Sequence, residues 1–293
     1  MDYEKNISEL AEEIKKKKAR KILLQLPEGL KTRAQDIAER IEALGINVII
    51  SGEPCYGACD LRDREAKMMG CDMLVHVGHS KFFKDFSTSV PVLYFPWKID
   101  VNLGNIDFSI IKEKEIAIAS TIQHLHLLDE LKKRLEKEEK KVVVLGQILG
   151  CYVENSDKIK DTVLLLGSGD FHATGLRGKV YRLSPERRKI ELIDTLIFEK
   201  RRYANIEKAK DAKSFAILVS SKPGQFDIKR AEEIKKRMEE KHKKASILIM
   251  DEIKAEKLLG LKFDAYINTA CKRITEDSFG KPIVNKEDID LVI

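Results

Sequence analysis

The sequence contains no apolar run near the roughly 20 residues that a membrane-spanning helix needs. Residues 1–5 also lack the basic-then-apolar order with which a signal peptide begins. The apolar residues come in short runs between charged segments, which is typical of a globular protein rather than a disordered one. We therefore expect a cytoplasmic protein that has no membrane partner.

Cysteine is scarce, with five residues in a chain of 293. An odd number of cysteines without an export signal argues against a disulfide framework, so the thiols are available as metal ligands or nucleophiles. Neither sign of charge dominates, because the chain has 54 basic and 48 acidic residues. The Lys-rich stretches 15–18 and 235–244 lie among glutamates on predicted helices. We interpret them as solvated helix faces, with a partner-docking surface as the alternative, and expect no direct binding of nucleic acid.

Strand and helix signals alternate along the chain, and the same order appears three times. The predicted strands are 22–26, 48–51, 73–77 and 90–95, then 116–119, 142–145 and 163–166, then 215–219, 247–250 and 265–268. Alternation with connections of this length predicts parallel sheets covered by helices. We predict an α/β fold of three pseudo-repeated three-layer domains, 1–112, 113–210 and 211–293, arranged around a central cluster site. A long helix at 185–208 is predicted to bridge the second and third domains.

Three cysteines lie just beyond predicted strands, each preceded by small residues: Cys59, Cys151 and Cys271. Ligands of open parallel sheets bind beyond the carboxyl ends of the strands, so three domains facing one another would bring these thiols to one site. The alternative for each cysteine is a small buried hydrophobic residue. We give Cys71, at the start of a strand, that interpretation, and Cys55 stays unassigned.

Thiolates select zinc, copper(I) or iron-sulfur clusters. Structural zinc sites usually contain local cysteine pairs and close with four ligands, whereas these thiols are single and far apart. Such a set favours an iron-sulfur cluster with one open iron. A zinc-stabilised binding module remains an alternative.

Several loops of the chain resemble those of the archaeal diphthamide-synthesis enzymes, which are noncanonical radical S-adenosylmethionine transferases. The matching segments are 26–30 (LPEGL), 56–60 (YGACD), 75–80 (VHVGHS), 146–151 (GQILGC) and 268–273 (NTACKR). They occur in the family's order, and the similarity spans about Lys21 to Asp277. The chain departs from the family's pattern at Lys272, where proline is expected, and at Tyr152-Val153.

The resemblance implies a homodimer with one [4Fe-4S] cluster held by Cys59, Cys151 and Cys271. It further implies that S-adenosyl-L-methionine binds the open iron, and that reduction yields methylthioadenosine and a 3-amino-3-carboxypropyl radical. The radical would add to C2 of a histidine on translation elongation factor 2, with a protein or small molecule as the electron donor. The cofactor carries the hard step, and the protein orients the reactants.

Glycine-bearing loops beyond the predicted strands are candidates for binding the cosubstrate. The residues assigned to it are Glu28, Gly29, Ser168, Gly169, Asp170 and Gln225. Two histidines, His76 and His79, lie at another strand end, where a hydrogen bond to the backbone is the alternative to a role in the cleft.

Two other functions agree with three cysteines from three α/β repeats. Quinolinate synthase uses such a cluster as a Lewis acid in dehydration and condensation. A noncatalytic cluster-bearing partner for electron transfer is the second alternative. The quoted loops favour the diphthamide enzymes over both.

Overall fold

The computed structural model describes residues 3–104, 106–176 and 178–293. Three sheets with helices between their strands form the fold. Within the described residues, no helix is both long enough and apolar enough to cross a membrane.

The first sheet has four parallel strands in the order β2-β1-β3-β4. They are β1 (Lys21–Gln25), β2 (Asn47–Ile50), β3 (Met73–Val77) and β4 (Val92–Phe95), with helices α1 (Tyr3–Lys16), α2 (Glu28–Lys31), α3 (Ala34–Glu42) and α4 (Asp63–Met68). All five residues of β3 are buried, because helices cover both faces of a parallel sheet. Helix α1 buries Ile7, Leu10 and Ile14, which lie on one face at a spacing of three and four residues.

The second sheet has six strands in the order β10-β9-β8-β5-β6-β7. They are β5 (Glu115–Ser120), β6 (Lys141–Leu149), β7 (Tyr152–Val153), β8 (Thr162–Leu166), β9 (Lys179–Ser184) and β10 (Lys189–Ile193), with helix α5 (Leu128–Lys137). The four central strands are parallel, and the short edge strands β7 and β10 pair antiparallel with β6 and β9.

The third sheet has four parallel strands in the order β12-β11-β13-β14. They are β11 (Ser214–Ser220), β12 (Lys244–Met250), β13 (Ala265–Asn268) and β14 (Ile283–Asn285), with helices α6 (Leu196–Lys210) and α7 (Ile228–Glu240). The first sheet, the third sheet and the centre of the second share one order: second strand, first strand, third strand, fourth strand. This shared order confirms the predicted α/β fold of pseudo-repeated parallel sheets.

The residues group into two compact units. One consists of Met1–Gly169 and Gly178–Ile193 and holds the first two sheets, and the other consists of Asp170–Arg177 and Asp194–Ile293 and holds the third. The three-domain boundaries at 112 and 210 remain a prediction.

The predicted helix at 185–208 is wrong in its first half. Residues Lys189–Ile193 form β10, which pairs antiparallel with β9, and helix α6 begins only at Leu196. A tight turn joins the two strands, with Arg188 at φ +50° and its N–H donating to Ser184 O at 2.8 Å. The charged residues 186–189 have helical propensity, but residues 185–188 form the turn, and Lys189–Ile193 pair with β9 instead of continuing a helix. Strands β7, β9, β10 and β14 were not predicted from the sequence.

Candidate functional site

The loop that carries Cys59 follows β2 and is fixed by buried contacts to β1. Gln25 Nε2 donates to Asp60 O at 2.6 Å, and the N–H of Arg62 points at Gln25 Oε1 at 3.4 Å. The Asp60 carboxylate lies 3.5 Å from the Arg62 guanidinium, and both side chains are buried. Cys59 itself is half-buried. Buried polar contacts of the residues that directly follow Cys59 therefore hold the thiol at the carboxyl end of the first sheet.

The hairpin of β6 and β7 places Cys151 in an exposed turn. The pairing of β5 with β6 shifts register before Gly146, which has φ +95°. The N–H of Gln147 donates to the Glu154 carboxylate at 2.8 Å, and Asn155 Nδ2 donates to Leu145 O at 2.8 Å. A Cβ at position 146 would lie 2.3 Å from Glu154 Oε2, so only glycine lets this carboxylate close the hairpin.

Two contacts join this hairpin to the loop after β3, within the same compact unit. Ser80 Oγ donates to Gln147 Oε1 at 3.0 Å. The rings of Phe83 and Tyr152 are stacked, with centroids 4.8 Å apart. The residue next to Cys151 is thereby packed against the first sheet's connections.

Cys271 follows β13 and precedes a 3₁₀ turn, Lys272–Glu276, in the second compact unit. Asn268 holds this segment, because its Nδ2 donates to Cys271 O at 2.8 Å and its Oδ1 accepts from the Ala270 N–H at 3.0 Å. Burial raises the pKa of the Cys271 thiol, opposed by the N–H and charge of Arg273 and by the charge of Lys222. A bound cation would therefore favour deprotonation of this thiol.

The three predicted ligands occupy comparable but not identical positions. Cys59 and Cys151 follow the second strand of their repeats, whereas Cys271 follows the third strand. Their convergence on one site stays a prediction.

The exposure of the thiols separates these three cysteines from the other two. All five lie within the described ranges, and none forms a disulfide; Cys151 is exposed, Cys59 and Cys271 are half-buried, and Cys55 and Cys71 are buried. Cys71 packs with Leu23, Leu61 and Leu74, in agreement with its interpretation as a core residue. Reduced, accessible thiols at strand ends fit a cluster held by thiolates.

Two histidines, the buried His76 and the half-buried His79, lie beside the Cys59 loop. His76 Nδ1 is 2.9 Å from Gln25 Oε1, and His76 Nε2 is 3.1 Å from His79 Nδ1. Since Gln25 Oε1 can only accept, His76 Nδ1 carries the proton and Nε2 presents its lone pair. Burial, followed by the nearby His79, holds the pKa of His76 well below its usual value, so this imidazole is neutral. The thiol of Cys55 lies 4.0 Å from His76 Nδ1.

From the sequence alone, the members of this group had no firm assignment. The loop cysteine and the His-x-x-His spacing at a strand end were visible, but only the parallel pairing of β1 with β3 brings Gln25 beside His76.

The residues assigned to the cosubstrate all lie beyond strand ends, and their role remains a prediction. Glu28 opens α2 after β1 and pairs with Lys31 at 2.6 Å. Ser168 follows β8 and donates to the Glu186 carboxylate, and Gly169 has φ +77°. Asp170 continues that loop, and the N–H of Gln225 donates to Lys222 O at 3.0 Å after β11. Glu28 and Ser168 would have to exchange these partners to bind a ligand.

Comparison with known proteins gives one consistent result. Residues 26–293 match the family described as putative diphthamide synthesis protein. A protein of Pyrococcus horikoshii named 2-(3-amino-3-carboxypropyl)histidine synthase is 34% identical over 98% of this chain and 89% of its own. Subunit 1 of the enzyme of that name from Caenorhabditis elegans is 30% identical over 92% of this chain and 75% of its own.

The fold gives the same match. The crystal structure of Dph2 from Pyrococcus horikoshii superposes with a TM-score of 0.89, covering 98% of this chain and 89% of that one at 34% identity. A second crystal structure of that protein, with a 4Fe-4S cluster, superposes with a TM-score of 0.88 over the same coverage and at the same identity. The resemblance inferred from the loops is thus confirmed, and this chain belongs to the diphthamide synthesis protein family.

Proposed function

We propose that this protein is a 2-(3-amino-3-carboxypropyl)histidine synthase. It transfers the 3-amino-3-carboxypropyl group of S-adenosyl-L-methionine to a histidine of translation elongation factor 2, the first step of diphthamide synthesis. The observation that carries the proposal is the near full-length match to a protein of that name, whose fold has also been solved with a 4Fe-4S cluster. The protein would act in the cytoplasm as a homodimer of three-domain subunits, with a separate electron donor.

Cys59, Cys151 and Cys271 would hold a [4Fe-4S] cluster. When bound and reduced, the cluster supplies the electron that cleaves the bond between sulfur and the methionine γ-carbon. Their chemistry supports this assignment, because each thiol is at least partly accessible at the carboxyl end of a parallel strand. The buried Gln25 contacts and the hydrogen bond from the Gln147 N–H to the Glu154 carboxylate keep two of the three loops in place, which lowers the entropic cost of ordering them on binding.

The residues assigned to the cosubstrate would bind S-adenosyl-L-methionine and orient it. Backbone N–H groups at Gly29 and Gly169 can approach an anionic carboxylate, and Asp170 and Gln225 offer acceptors and donors for the adenosine and amino-acid portions. Orientation matters because a radical reacts with the group nearest to it, so a fixed geometry sets where it adds.

The test uses anaerobically purified, dithionite-reduced protein with S-adenosyl-L-methionine and its own elongation factor 2. Mass spectrometry of the target histidine peptide should show one added aminocarboxypropyl group, and methylthioadenosine should appear with it. Alanine at Cys59, Cys151 or Cys271 should abolish the product and lower the bound iron. Cys71→Ala is the matched control, because Cys71 is a core residue, and it should keep both.

Failure would take a specific form. A protein with an intact cluster that forms neither product would contradict the proposal and would favour quinolinate synthase chemistry or a noncatalytic cluster-bearing partner.

A further inference from the structure

The group formed by the buried Cys55 and His76 and the half-buried His79 has the composition of a metal site whose residues differ from the three proposed cluster ligands. We propose that it binds one zinc ion through the thiolate and the two imidazoles. The proposal goes beyond the proposed function and does not depend on it.

The donor atoms are already close together. One donor atom from each of the three side chains lies within 4.8 Å of the other two. The two facing imidazole nitrogens are 3.1 Å apart. Two nitrogen ligands of a tetrahedral zinc ion lie about 3.3 Å apart, given zinc–nitrogen distances near 2.05 Å. The spacing of the two nitrogens therefore suits an ion, provided that the His79 proton moves from Nδ1 to Nε2 and both rings turn so that their lone pairs meet at the ion.

The thiol completes the group. Zinc–sulfur distances of about 2.3 Å require the sulfur to lie about 3.6 Å from each ligating nitrogen. The Cys55 sulfur now lies 4.0 Å from His76 Nδ1, so binding requires its side chain to turn toward the Nε2 side of the ring. Cys55 and His76 are 3% and 0% exposed. Because these two side chains are buried, little water screens the attraction between a cation and the thiolate.

The surroundings of His76 are those of a metal ligand. Its Nδ1–H donates to Gln25 Oε1, which leaves Nε2 with a lone pair directed at His79. Ligating histidines usually donate their other ring N–H to such an acceptor, which fixes the tautomer and the ring plane. The Gln25 amide is itself oriented by its bond to Asp60 O at 2.6 Å.

Zinc fits this donor set better than hard cations do. One thiolate and two imidazoles are borderline-soft ligands, whereas magnesium and calcium require oxygen ligands. Three protein ligands leave a fourth position for water or another small ligand. Because Cys55 and Cys59 share a loop, an ion here would also hold that loop to β3.

The experiment measures zinc on protein that already carries its cluster. The chain is reconstituted anaerobically, given one equivalent of zinc chloride, desalted, and analysed for zinc and iron by plasma mass spectrometry. Zinc affinity is measured by competition with a chromophoric chelator. We expect about one zinc per chain in addition to the cluster iron. Cys55→Ser should lower the zinc affinity at least about tenfold with the iron content unchanged.

Cys71→Ser is the matched control, since it removes a second buried thiol of the same unit outside the group. It should retain zinc as the unchanged protein does. His79→Gln, at a half-buried position, should weaken zinc binding as Cys55→Ser does, and tests the site without altering the strand.

Three results would overturn the proposal: no zinc retained by the unchanged protein, equal zinc affinity in Cys55→Ser and Cys71→Ser, or loss of iron together with zinc in Cys55→Ser. The last result would place Cys55 with the cluster instead. Neither S-adenosyl-L-methionine nor elongation factor 2 enters the assay, so its outcome is separate from that of the proposed activity.

Discussion

The ring of Phe83 stacks on the ring of Tyr152, with centroids 4.8 Å apart and planes 12° from parallel. Tyr152 directly follows Cys151, so the stack fastens the hairpin that carries a proposed cluster ligand. Aromatic pairs contribute about 0.5 to 1.5 kcal/mol beyond their buried area.

We predict that Phe83→Ala and Tyr152→Ala each shorten the lifetime of the cluster in air, because a looser hairpin exposes it more often. A double-mutant cycle on thermal unfolding should give a coupling energy of about 1 kcal/mol. Phe226→Ala, at an exposed aromatic residue of the other unit, is the control and should leave the cluster lifetime unchanged. Additive effects of the two substitutions would contradict a stabilising stack.

Position 146 requires glycine for two reasons, its positive φ and the close approach of the Glu154 carboxylate. Its φ is +95°, and an added Cβ would lie 2.3 Å from the Glu154 carboxylate. We predict that Gly146→Ala destabilises the protein by about 1 to 3 kcal/mol and lowers cluster occupancy, measured by thermal unfolding and iron content. Adding Glu154→Ala should remove the clash but not the backbone strain, so the two changes should cost less than their sum.

Gly52→Ala provides the comparison, because nothing lies within 4 Å of a Cβ there and its φ is not positive. Its effect should stay within about 0.5 kcal/mol. Similar losses of stability at both glycines would show that the close contact between position 146 and the Glu154 carboxylate has no special role.

Acid should destabilise the fold partly through His124. Burial lowers the pKa of His124, although its Nδ1 contact to Ile99 O at 2.8 Å and the charges of Glu186 and Asp100 oppose the shift. The unfolded imidazole takes up a proton near pH 6.5, and the folded one only at lower pH. The stabilisation is therefore complete above pH 6.5 and is lost as pH falls toward the folded pKa.

His124→Asn keeps a donor near Ile99 O and removes the titration. We expect its unfolding midpoint to fall less between pH 7.5 and 5 than that of the unchanged protein. The exposed His242, changed to Asn, serves as the control and should leave the slope as it is. An unchanged slope in His124→Asn would falsify this assignment.

The pair of Arg202 and Asp288 joins helix α6 to the last turn of the chain. Arg202 Nε donates to Asp288 Oδ2 at 2.9 Å, and a second nitrogen contacts the other oxygen. Asp288 is 3% exposed, and the carboxylate raises the pKa of the guanidinium. Arg202→Gln leaves a buried carboxylate without its charged partner, so we predict a loss of about 2 kcal/mol, reduced because the arginine is partly exposed.

Arg237 and Asp290 form a matched pair at the surface, with Asp290 largely exposed. Arg237→Gln should cost less than about 1 kcal/mol in chemical denaturation. A larger effect at Arg237 than at Arg202 would contradict the burial argument.

The fold class and the candidate cysteines could be predicted because they depend on local patterns. Short apolar runs such as 73–77 are too short for helices, and their alternation with amphipathic segments such as α1 leaves parallel sheets as the way to bury them. Strand β10 could not be predicted in the same way. Its residues favour a helix locally, and only pairing with β9 makes them a strand.

The sequence by itself determined the three repeats, the strand ends at which Cys59, Cys151 and Cys271 lie, and the loops that indicate the family. Each of these features depends on a short contiguous segment of the chain. The tertiary structure decided which side chains meet. Gln25 and His76 are 51 residues apart, and Phe83 and Tyr152 are 69 apart. Their contacts depend on strand register and on the packing of one sheet's loops against another's hairpin, which no local sequence pattern specifies.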